Sequence, residues 1–323
     1  MTSDRFSTVN VRSPADLLAL VPYLLRFHPA APSTVIIAVT GTHLLVGAHI
    51  DAAEVDTRDA LTHVAGIAAR DGATGVFIIG YGTPDQVTPA VDLAETVFAA
   101  HGLPVLDALR VTDGRFCSYH GDERPDTPLD PTNPTATWAV VAGHTAAPNR
   151  AALLAQLAPV KGAARDAMRD ATERAATRLT SLVHANPTTT EPRPDAVLGA
   201  GSDAIEAAIA THHHRQRLSD DDAAWLIALL TYLPVRDLAL QKTFQDTSLI
   251  GLWTDLTRRA DPLLSAAPAT LLGFAAWRNG DGTRAAIALQ RALTADPGYH
   301  LAELLDQTLR LGVSPSAANH LLD

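Results

Sequence analysis

The segment Ser33–Thr40, STVIIAVT, decides the fold of the first half of the chain. Its apolar and largely β-branched residues follow one another without a polar interruption. Such a run is typical of a strand that is covered on both faces of its sheet. Gly41 and Thr42 then turn the chain into His43–Ile50, HLLVGAHI, which is predicted to be an antiparallel neighbour. The chain is therefore expected to begin with a sheet that helices cover.

The patterns on either side of this strand extend the prediction. A short helix is expected over Ser13–Leu25, because Ser13 is a good N-cap residue and Pro14 suits a first helical turn. The residues that follow predict a helix over 57–70, a strand over 74–82, a helix over 90–102, a strand over 103–112 and, after a turn at Asp113-Gly114, a short strand. Two further helices are predicted around 135–143 and 149–158. This order predicts a mixed sheet with helices on its faces over residues 1–158.

Strand signals disappear after residue 158. Residues 162–186 are predicted to form one long helix with arginines and carboxylates mixed along a solvated face. Residues 187–195, PTTTEPRPD, are predicted to be a linker because proline excludes regular structure there. Further helices are predicted over 202–214, 220–232, 235–245, 248–259, 268–278, 283–295, 299–311 and 315–321. The predicted fold class is α/β followed by all-α, with divisions at 1–158, 159–200 and 201–323.

Composition limits the classes of function. The 323 residues are 47% hydrophobic and 19% charged, which is enough apolar material for a full core. A net charge of −10 disfavours binding to nucleic-acid phosphates. The single cysteine, Cys117, cannot form an internal disulfide, which fits a reducing cytosol. Residues 1–10 lack the pattern of a secretory signal, and no apolar run reaches the roughly 20 residues that span a bilayer. We therefore predict a cytoplasmic protein that binds neither nucleic acid nor membrane.

Residues 269–305 have the pattern of a helical hairpin. Gly273 stands in the middle of one helix, where glycine costs about 1 kcal/mol relative to alanine, so a second helix is expected to approach it closely. The turn signal 279–282 separates the two helices. The hairpin is similar to a tetratricopeptide repeat at Leu272, Gly273, Ala285, Leu289, Ala292 and Pro297. Repeat-like stacking predicts a groove for a partner peptide, and the alternative is an ordinary hairpin that caps a bundle.

Four segments together resemble the actinobacterial domain-of-unknown-function family 4192 over nearly the whole chain. They are SPADLLALVPYLLRFHP (13–29), DGRFCSY (113–119), YLPVRD (232–237) and AAWRNGDGTRAAIALQRALTADPGYHLAELL (275–305). The resemblance implies a cytosolic protein of high-GC bacteria and supplies no activity. Members of that family often carry a small cluster of cysteines after the Asp-Gly-Arg motif, and this chain departs from them with Cys117 alone. Two thiolates are the minimum for a convincing zinc signal, so no metal site is predicted.

The same motif lies in the most polar loop-like segment, VTDGRFCSYHGDERPD (111–126). Cys117 and His120 are its candidate catalytic residues, because a cysteine nucleophile needs a lowered pKa and a nearby base. In a strand, however, Cys117 shares a face with Arg115 and Tyr119, and His120 points away unless the strand has ended.

A second hypothesis for this segment is a ligand site. Asp113, Arg115 and Tyr119 are candidate ligand-binding residues, since sites in α/β folds favour strand ends. The structural alternative is that Cys117 and Tyr119 pack on the sheet while Arg115 pairs with a carboxylate.

Other motifs favour structural roles. Residues 199–204, GAGSDA, imitate a dinucleotide fingerprint, but no strand precedes them, so they are predicted to be a flexible entry to a helix. The imidazoles of 212–214 diverge along a helix and suit its C-terminal end better than a metal. Ser219 with Asp222 is predicted to form a variant capping box. Arg236 is predicted to bridge to a neighbouring element.

Three classes of function remain open at this point. The leading one is a protein-binding or scaffold protein that docks a protein or peptide through its helical region. The first alternative is a small-molecule-binding protein or enzyme with a site near Asp113–Tyr119, and the second is a homo-oligomeric structural component. No P-loop, G-x-S-x-G elbow or H-E-x-x-H helix is present, which favours binding over catalysis, and no cofactor is predicted.

Overall fold

The chain divides into two compact units in its computed structural model, Met1–Leu153 and Leu154–Asp323. The structure describes residues 11–51, 56–120, 126–184 and 194–315. The first unit, called the sheet unit, is α/β, and the second, called the helical unit, contains helices alone among its described residues. The predicted class, α/β followed by all-α, is confirmed.

The sheet unit follows the predicted order of elements. Its helices are α1 (Pro14–Leu25), α2 (Thr57–Arg70), α3 (Pro84–Ala100), α4 (Pro134–Val141) and the first part of α5 (Arg150–Gln156), which contains the boundary at Leu153. Its strands are β1 (Ser33–Thr40), β2 (His43–Ile50), β3 (Gly75–Tyr81), β4 (Val105–Thr112), β5 (Arg115–Ser118) and β6 (Thr127–Pro128). Only the two-residue strand β6 was not predicted, because Thr-Pro carries no strand pattern.

The sheet is mixed, with strand order β2-β1-β3-β4-β5-β6. The strands β1 and β2 pair antiparallel, as do β1 and β3, whereas β3 and β4 are parallel. The strands β5 and β6 extend the sheet antiparallel beyond β4. The parallel pair needs a crossover, and α3 supplies it, as the length of the intervening segment requires.

The central strand β1 is covered on both faces, as its uninterrupted apolar sequence predicts. On one face, Ile36 packs in a cluster with Ile78 of β3, Leu61 of α2 and Phe98 of α3. On the other face, Ile37 is equally buried, at 2% exposure. Side chains on both faces of β1 are therefore buried, and this burial specifies the register in which β1 pairs with its neighbours.

The helical unit is built from α-helices of 10 to 21 residues in the part of the chain that the structure describes. Its helices are α6 (Ala163–Val183), α7 (Pro194–His213), α8 (Asp220–Leu229), α9 (Leu233–Gln245), α10 (Ile250–Arg259), α11 (Ala266–Arg278), α12 (Gly282–Ala295) and α13 (His300–Arg310). Short 3₁₀ helices at Thr247–Leu249 and Pro262–Leu264 precede α10 and α11.

One predicted boundary in the helical unit is wrong. The helix predicted over 202–214 begins at Pro194, so 199–204 lie inside α7 and are not a flexible entry to it. Proline at the first helical position needs no N–H donor, and this allows a proline-rich segment to open a helix. Most of the predicted linker, and the helix predicted over 315–321 apart from its first residue, lie outside the described residues. The division at 200 stays a prediction, although α7 runs across it.

The helix α11 is the centre of the helical unit. Every one of its residues is buried, including Thr270 and Arg278. A Cβ added at Gly273 would lie 2.7 Å from Cγ of Leu289 in α12, so the predicted close approach of a second helix is confirmed. Since α11 is the first helix of the repeat-like hairpin and has no exposed face, it lines no groove.

Within the described residues, no single helix combines the length and apolar composition needed to cross a membrane, although α8 and α9 meet the same criterion as a bent pair.

Candidate functional site

The β4–β5 hairpin presents the predicted site residues of the sheet unit. Asp113 and Gly114 both have positive φ, 51° and 72°, which is the backbone of a type I′ turn. Thr112 pairs with Arg115 across this turn, so the loop has two residues and the turn predicted at Asp113-Gly114 is confirmed. Asp113 is thus first of all a turn residue, because aspartate tolerates the left-handed conformation better than most residues.

The hairpin brings Cys117 and Tyr119 to one face of the sheet. The hydroxyl of Tyr119 lies 2.9 Å from that of Thr88 in α3, and its backbone N–H donates to the carbonyl of Ala108 at 2.8 Å. The guanidinium of Arg115 donates to the carbonyl of Asp126. These contacts resemble the structural alternative for this segment, with packing for Tyr119 and an oxygen partner for Arg115.

Arg110 is the neighbour of Cys117 that the sequence reasoning missed. The two residues are directly opposite in the β4–β5 pairing, and a guanidinium nitrogen of Arg110 also lies 3.2 Å from Oδ1 of Asp126. Burial acts to lower the pKa of Arg110, but Cys117, Asp126 and Tyr119 outweigh it and raise that pKa above its usual value. The sequence contains the signal for this contact. In a hairpin with a two-residue turn, residues at equal distances before and after the turn pair with each other.

His120 lies apart from this cluster. The strand β5 ends at Ser118, and His120 donates from Nε2 to Oε1 of Glu95 in α3 at 2.6 Å. At about 3.3 Å per residue, Asp113 and His120 are separated by roughly 20 Å along the hairpin. The five candidate residues of the segment therefore do not converge on one site. A cleft of about 440 Å³ includes His120 and Glu95 in its lining but none of the other four.

A larger cleft, of about 620 Å³, lies in the helical unit between the end of α7 and the start of α10. We call it the α7–α10 cleft. Its lining residues are Ala208, His212, His213, Arg215, Gln216, Arg217, Leu218, Ser248, Gly251, Leu252 and Asp255. This volume lies within the range of ligand-binding sites in proteins.

The three consecutive histidines at the end of α7 have three different partners. The Nε2 of His212 donates to the carbonyl of Ser248 at 3.2 Å, and Nε2 of His213 to Oδ2 of Asp246 at 2.7 Å. His214 donates from Nδ1 to a carbonyl of its own helix at 2.7 Å. The imidazoles therefore diverge, as predicted. Among the described residues, no cluster of three or more His, Cys, Asp or Glu side chains is arranged to hold a metal ion.

Gly251 shapes the wall of the cleft beside His212. A Cβ at residue 251 would lie 2.8 Å from Cε1 of the His212 ring, so a larger residue would push the imidazole away from α10. Absence of a side chain at this position lets the ring reach the carbonyl of Ser248. The glycine thus has a packing role that a sequence pattern alone does not reveal.

Arg215 ends α7 in a left-handed conformation, with φ of 57°. Its N–H donates to the carbonyl of His212 at 2.8 Å, and that of Gln216 donates to the carbonyl of Thr211 at 3.0 Å. These are the two bonds of a Schellman motif, in which this position is usually glycine. The arginine side chain is exposed and forms no ion pair with any other described residue.

The other charges of the cleft are already matched. Arg217 lies 3.1 Å from Oδ1 of Asp255, and the fully buried Arg259 lies 2.8 Å from its Oδ2. His213 contacts Asp246. An anion that enters the cleft therefore meets one positive charge without a partner, on Arg215, and an apolar floor that includes Leu252.

The remaining predicted positions are structural in the described chain. Ser219 accepts from the N–H of Asp222 at 3.1 Å and donates to its carboxylate at 2.6 Å, so the capping box is confirmed. Arg236 pairs with Asp237, and its guanidinium carbon lies 5.7 Å from the centre of the Tyr299 ring. Gly201 packs against Val235, which gives the GAGSDA segment a helix-packing role.

Comparison with known proteins gives a family match. A family model described as Domain of unknown function (DUF4192) matches residues 14–316. No curated protein and no solved structure matches the chain.

Proposed function

The chain belongs to the family described as Domain of unknown function (DUF4192), and because this description assigns no activity, we propose a function from the α7–α10 cleft. We propose that the protein is a binding protein whose helical unit docks an acidic peptide segment of a partner protein in this cleft. The observation that carries the proposal is the exposed Arg215 guanidinium, which has no ion-pair partner among the described residues and stands at a cleft of about 620 Å³.

Charge favours an acidic ligand. Arg217 and Arg259 share the carboxylate of Asp255, so these side chains are engaged before any ligand arrives. Arg215 is then the group available to a carboxylate, and hydrogen bonds between charged groups are stronger than neutral ones. The protein as a whole carries a net charge of −10, so an acidic segment is attracted locally rather than by the total charge.

The walls of the cleft favour a peptide over a purely polar ion. Ala208, Leu218 and Leu252 are buried at 1%, 9% and 5% exposure and supply an apolar floor beside the charged rim. An apolar floor with a few polar groups fits an acidic side chain that is flanked by an apolar one. The α7–α10 cleft is also distinct from the groove expected of repeat-like stacking, because α11 has no exposed face to line such a groove.

The backbone of residue 215 allows a clean test. In the variant Arg215→Gly the left-handed conformation is kept, because glycine adopts positive φ without strain, while the guanidinium is removed. Loss of a charge-assisted hydrogen bond of about 1.5–3 kcal/mol should weaken binding by about 10- to 100-fold. Arg174→Ala is the matched control, since Arg174 lies on α6 and pairs with Asp221 outside the lining of the cleft.

Fluorescence anisotropy with a labelled octapeptide of alternating leucine and glutamate supplies the measurement. We expect saturable binding by the wild type and by Arg174→Ala, weaker binding by Arg215→Gly, and little binding of a peptide with glutamine in place of glutamate. Equal binding of both peptides, or undiminished binding by Arg215→Gly, would overturn the proposal. Displacement of the peptide by free glutamate at equal concentration would assign the cleft to a small carboxylate instead.

The alternative site near Asp113–Tyr119 has weaker support. Its candidate residues are divided between the two ends of the β4–β5 hairpin, and the nearby cleft includes only His120 of them. Arg110 and Cys117 are paired residues of the hairpin, but neither lines the cleft beside His120.

A further inference from the structure

The two edges of the sheet differ in how they are protected from other strands. The edge strand β6 has two residues and ends in Pro128, which has no N–H to donate. Short edge strands and edge prolines are among the ways in which proteins prevent pairing with another chain. The opposite edge strand, β2, has eight residues and contains no proline. The β6 edge is thus short and ends in a proline, whereas the β2 edge is long and free of proline.

The strand β2 is also uncharged and partly apolar on its exposed side. His43–Ile50 contains no aspartate, glutamate, lysine or arginine. Leu44 and Leu45 are 39% and 37% exposed, so more than a third of each apolar residue remains accessible. Among the described strands only β1 pairs with β2, so the outer edge of β2 faces no other described strand. An edge with these properties pairs with another strand when one is available.

We infer that β2 is a homodimer interface at which two copies of the chain pair antiparallel about a two-fold axis. A two-fold contact brings the same strand from each copy together, so the strand must tolerate itself as a neighbour. Each chain carries a net charge of −10, and like charges opposite one another destabilise a strand pair. Because β2 has no charged side chain of fixed sign, it meets this condition, and a second copy fits it.

A bulge sets the expected strength of this contact. Between the pairs Ala38–Val46 and Val39–Leu44, β2 has one extra residue, Leu45. A bulge increases the local twist and interrupts the regular ladder. The ladder available to a second copy is therefore shorter than the strand, and we expect a dimer with a dissociation constant of about 1–100 µM.

Sedimentation equilibrium over about 1–200 µM protein tests the inference, since this range brackets the expected dissociation constant. The wild type should change from the 34.1 kDa monomer to twice that mass. Leu45→Lys and Leu44→Lys place a charge on the edge, as natural edge strands do, and each should raise the dissociation constant at least tenfold. Leu263→Lys, at a leucine that is 83% exposed in the helical unit, is the control and should dimerise as the wild type does.

Hydrogen exchange identifies the surface, and circular dichroism checks that the variants are folded. The amides of residues 43–50 should exchange more slowly at dimer-forming concentrations than at dilution. A wild type that stays monomeric over the whole range overturns the inference. So does a dimer that both lysine variants leave intact, because that dimer would use another surface. This experiment and the peptide experiment use different residues, so each can fail without the other.

Discussion

At the scale of single residues, Arg259 connects three helices of the helical unit. Its fully buried guanidinium donates to the carbonyls of Leu218 and Ser219 at 3.0 and 2.8 Å and contacts the carboxylates of Asp220 and Asp255 at 2.5 and 2.8 Å. Its Nε lies 3.4 Å from the sulfur of Met168 in α6. Every polar hydrogen of such a buried group needs a partner, and these contacts supply them.

Arg259→Leu should lower the free energy of unfolding by about 3 kcal/mol, because it leaves two carbonyls and two carboxylates without their donor. The estimate is at the lower end of the range for buried pairs, since Asp220 and Asp255 remain 40% and 32% exposed. Urea denaturation measures the effect. Arg174→Leu breaks an ion pair that is about 60% exposed on both sides, and it should cost at most about 1 kcal/mol. Similar losses in the two variants would contradict this account of Arg259.

Asp246 makes stability depend on pH. Burial acts to raise the pKa of its carboxyl, but hydrogen bonds from Ser248 and His213 outweigh burial and hold that pKa below the ordinary 3.8. A folded-state pKa below the unfolded one stabilises the protein above the unfolded pKa, and this contribution is lost as the pH falls through the folded pKa.

Asp246→Asn removes the titrating group and should be less stable than the wild type at pH 7. The difference between the two should shrink as the pH falls below the unfolded-state pKa of about 3.9, and its charge-dependent part should be lost once the pH lies below the lowered folded-state pKa. Urea denaturation at pH 7 and pH 3 measures it. A difference in free energy that is the same at both pH values would show that the charge of Asp246 is not what stabilises the helical unit.

Sequence patterns predicted the roles of some single residues and missed those of others. The turn at Asp113-Gly114 and the cap at Ser219 follow from local chemistry, and both were predicted correctly. Arg110 and Arg215 were missed for different reasons. Arg110 becomes a neighbour of Cys117 only through strand pairing, and Arg215 occupies a helix C′ position where the usual signal is glycine.

At the scale of elements, two glycines in α7 have opposite surroundings. A Cβ at Gly201 would lie 2.4 Å from Cγ2 of Val235 in α9, whereas nothing lies within 4 Å of a Cβ at Gly199. Gly201 thus lets α7 and α9 approach each other, and Gly199 only weakens the helix. The pair explains why a segment that imitates a dinucleotide fingerprint serves helix packing.

Gly201→Ala should destabilise the protein by about 1–3 kcal/mol through overpacking, and Gly199→Ala should stabilise it by about 1 kcal/mol through helix propensity. Thermal unfolding of both variants gives opposite shifts of Tm if this is right. The double variant Gly201→Ala/Val235→Ala should recover part of the loss, because it removes the clashing methyl groups. A destabilised Gly199→Ala would contradict the assignment of open space around that glycine.

Elements were predicted well where one signal dominates. The β-branched run at β1 and the apolar period of α2 each specify one structure, and their bounds at Ser33–Thr40 and Thr57–Arg70 agree with the prediction. The start of α7 was wrong because proline signals both a linker and a first helical turn. The sequence also placed a groove at the α11–α12 hairpin, and only the packing of other helices around α11 shows that its surface is covered.

At the scale of the whole molecule, the chain has an excess of acidic residues, and the two proposed contact surfaces differ from the rest in their charge. The chain carries 35 acidic and 25 basic residues, and the two proposed contacts use groups outside this acidic excess: an uncharged strand, β2, and an arginine of the α7–α10 cleft, Arg215, that forms no ion pair with another described residue. Both contacts are therefore expected to be selective for partners that match them, a second copy and an acidic segment. Neither requires attraction by the total charge.

The same distribution predicts that the protein does not bind nucleic acid. Affinity for phosphates depends on several lysines and arginines that release counterions together, and a net charge of −10 repels the duplex from a distance. One free arginine in a cleft replaces too few counterions. A labelled 20-base-pair duplex, a length of about two helical turns, should show no change in anisotropy even at about 50 mM salt, where such binding is strongest. The leucine–glutamate peptide serves as the positive control in the same assay. If the duplex binds and its affinity falls steeply with salt, the protein has a basic surface despite its net negative charge. Duplex binding by Arg215→Gly would then show whether the α7–α10 cleft is part of that surface.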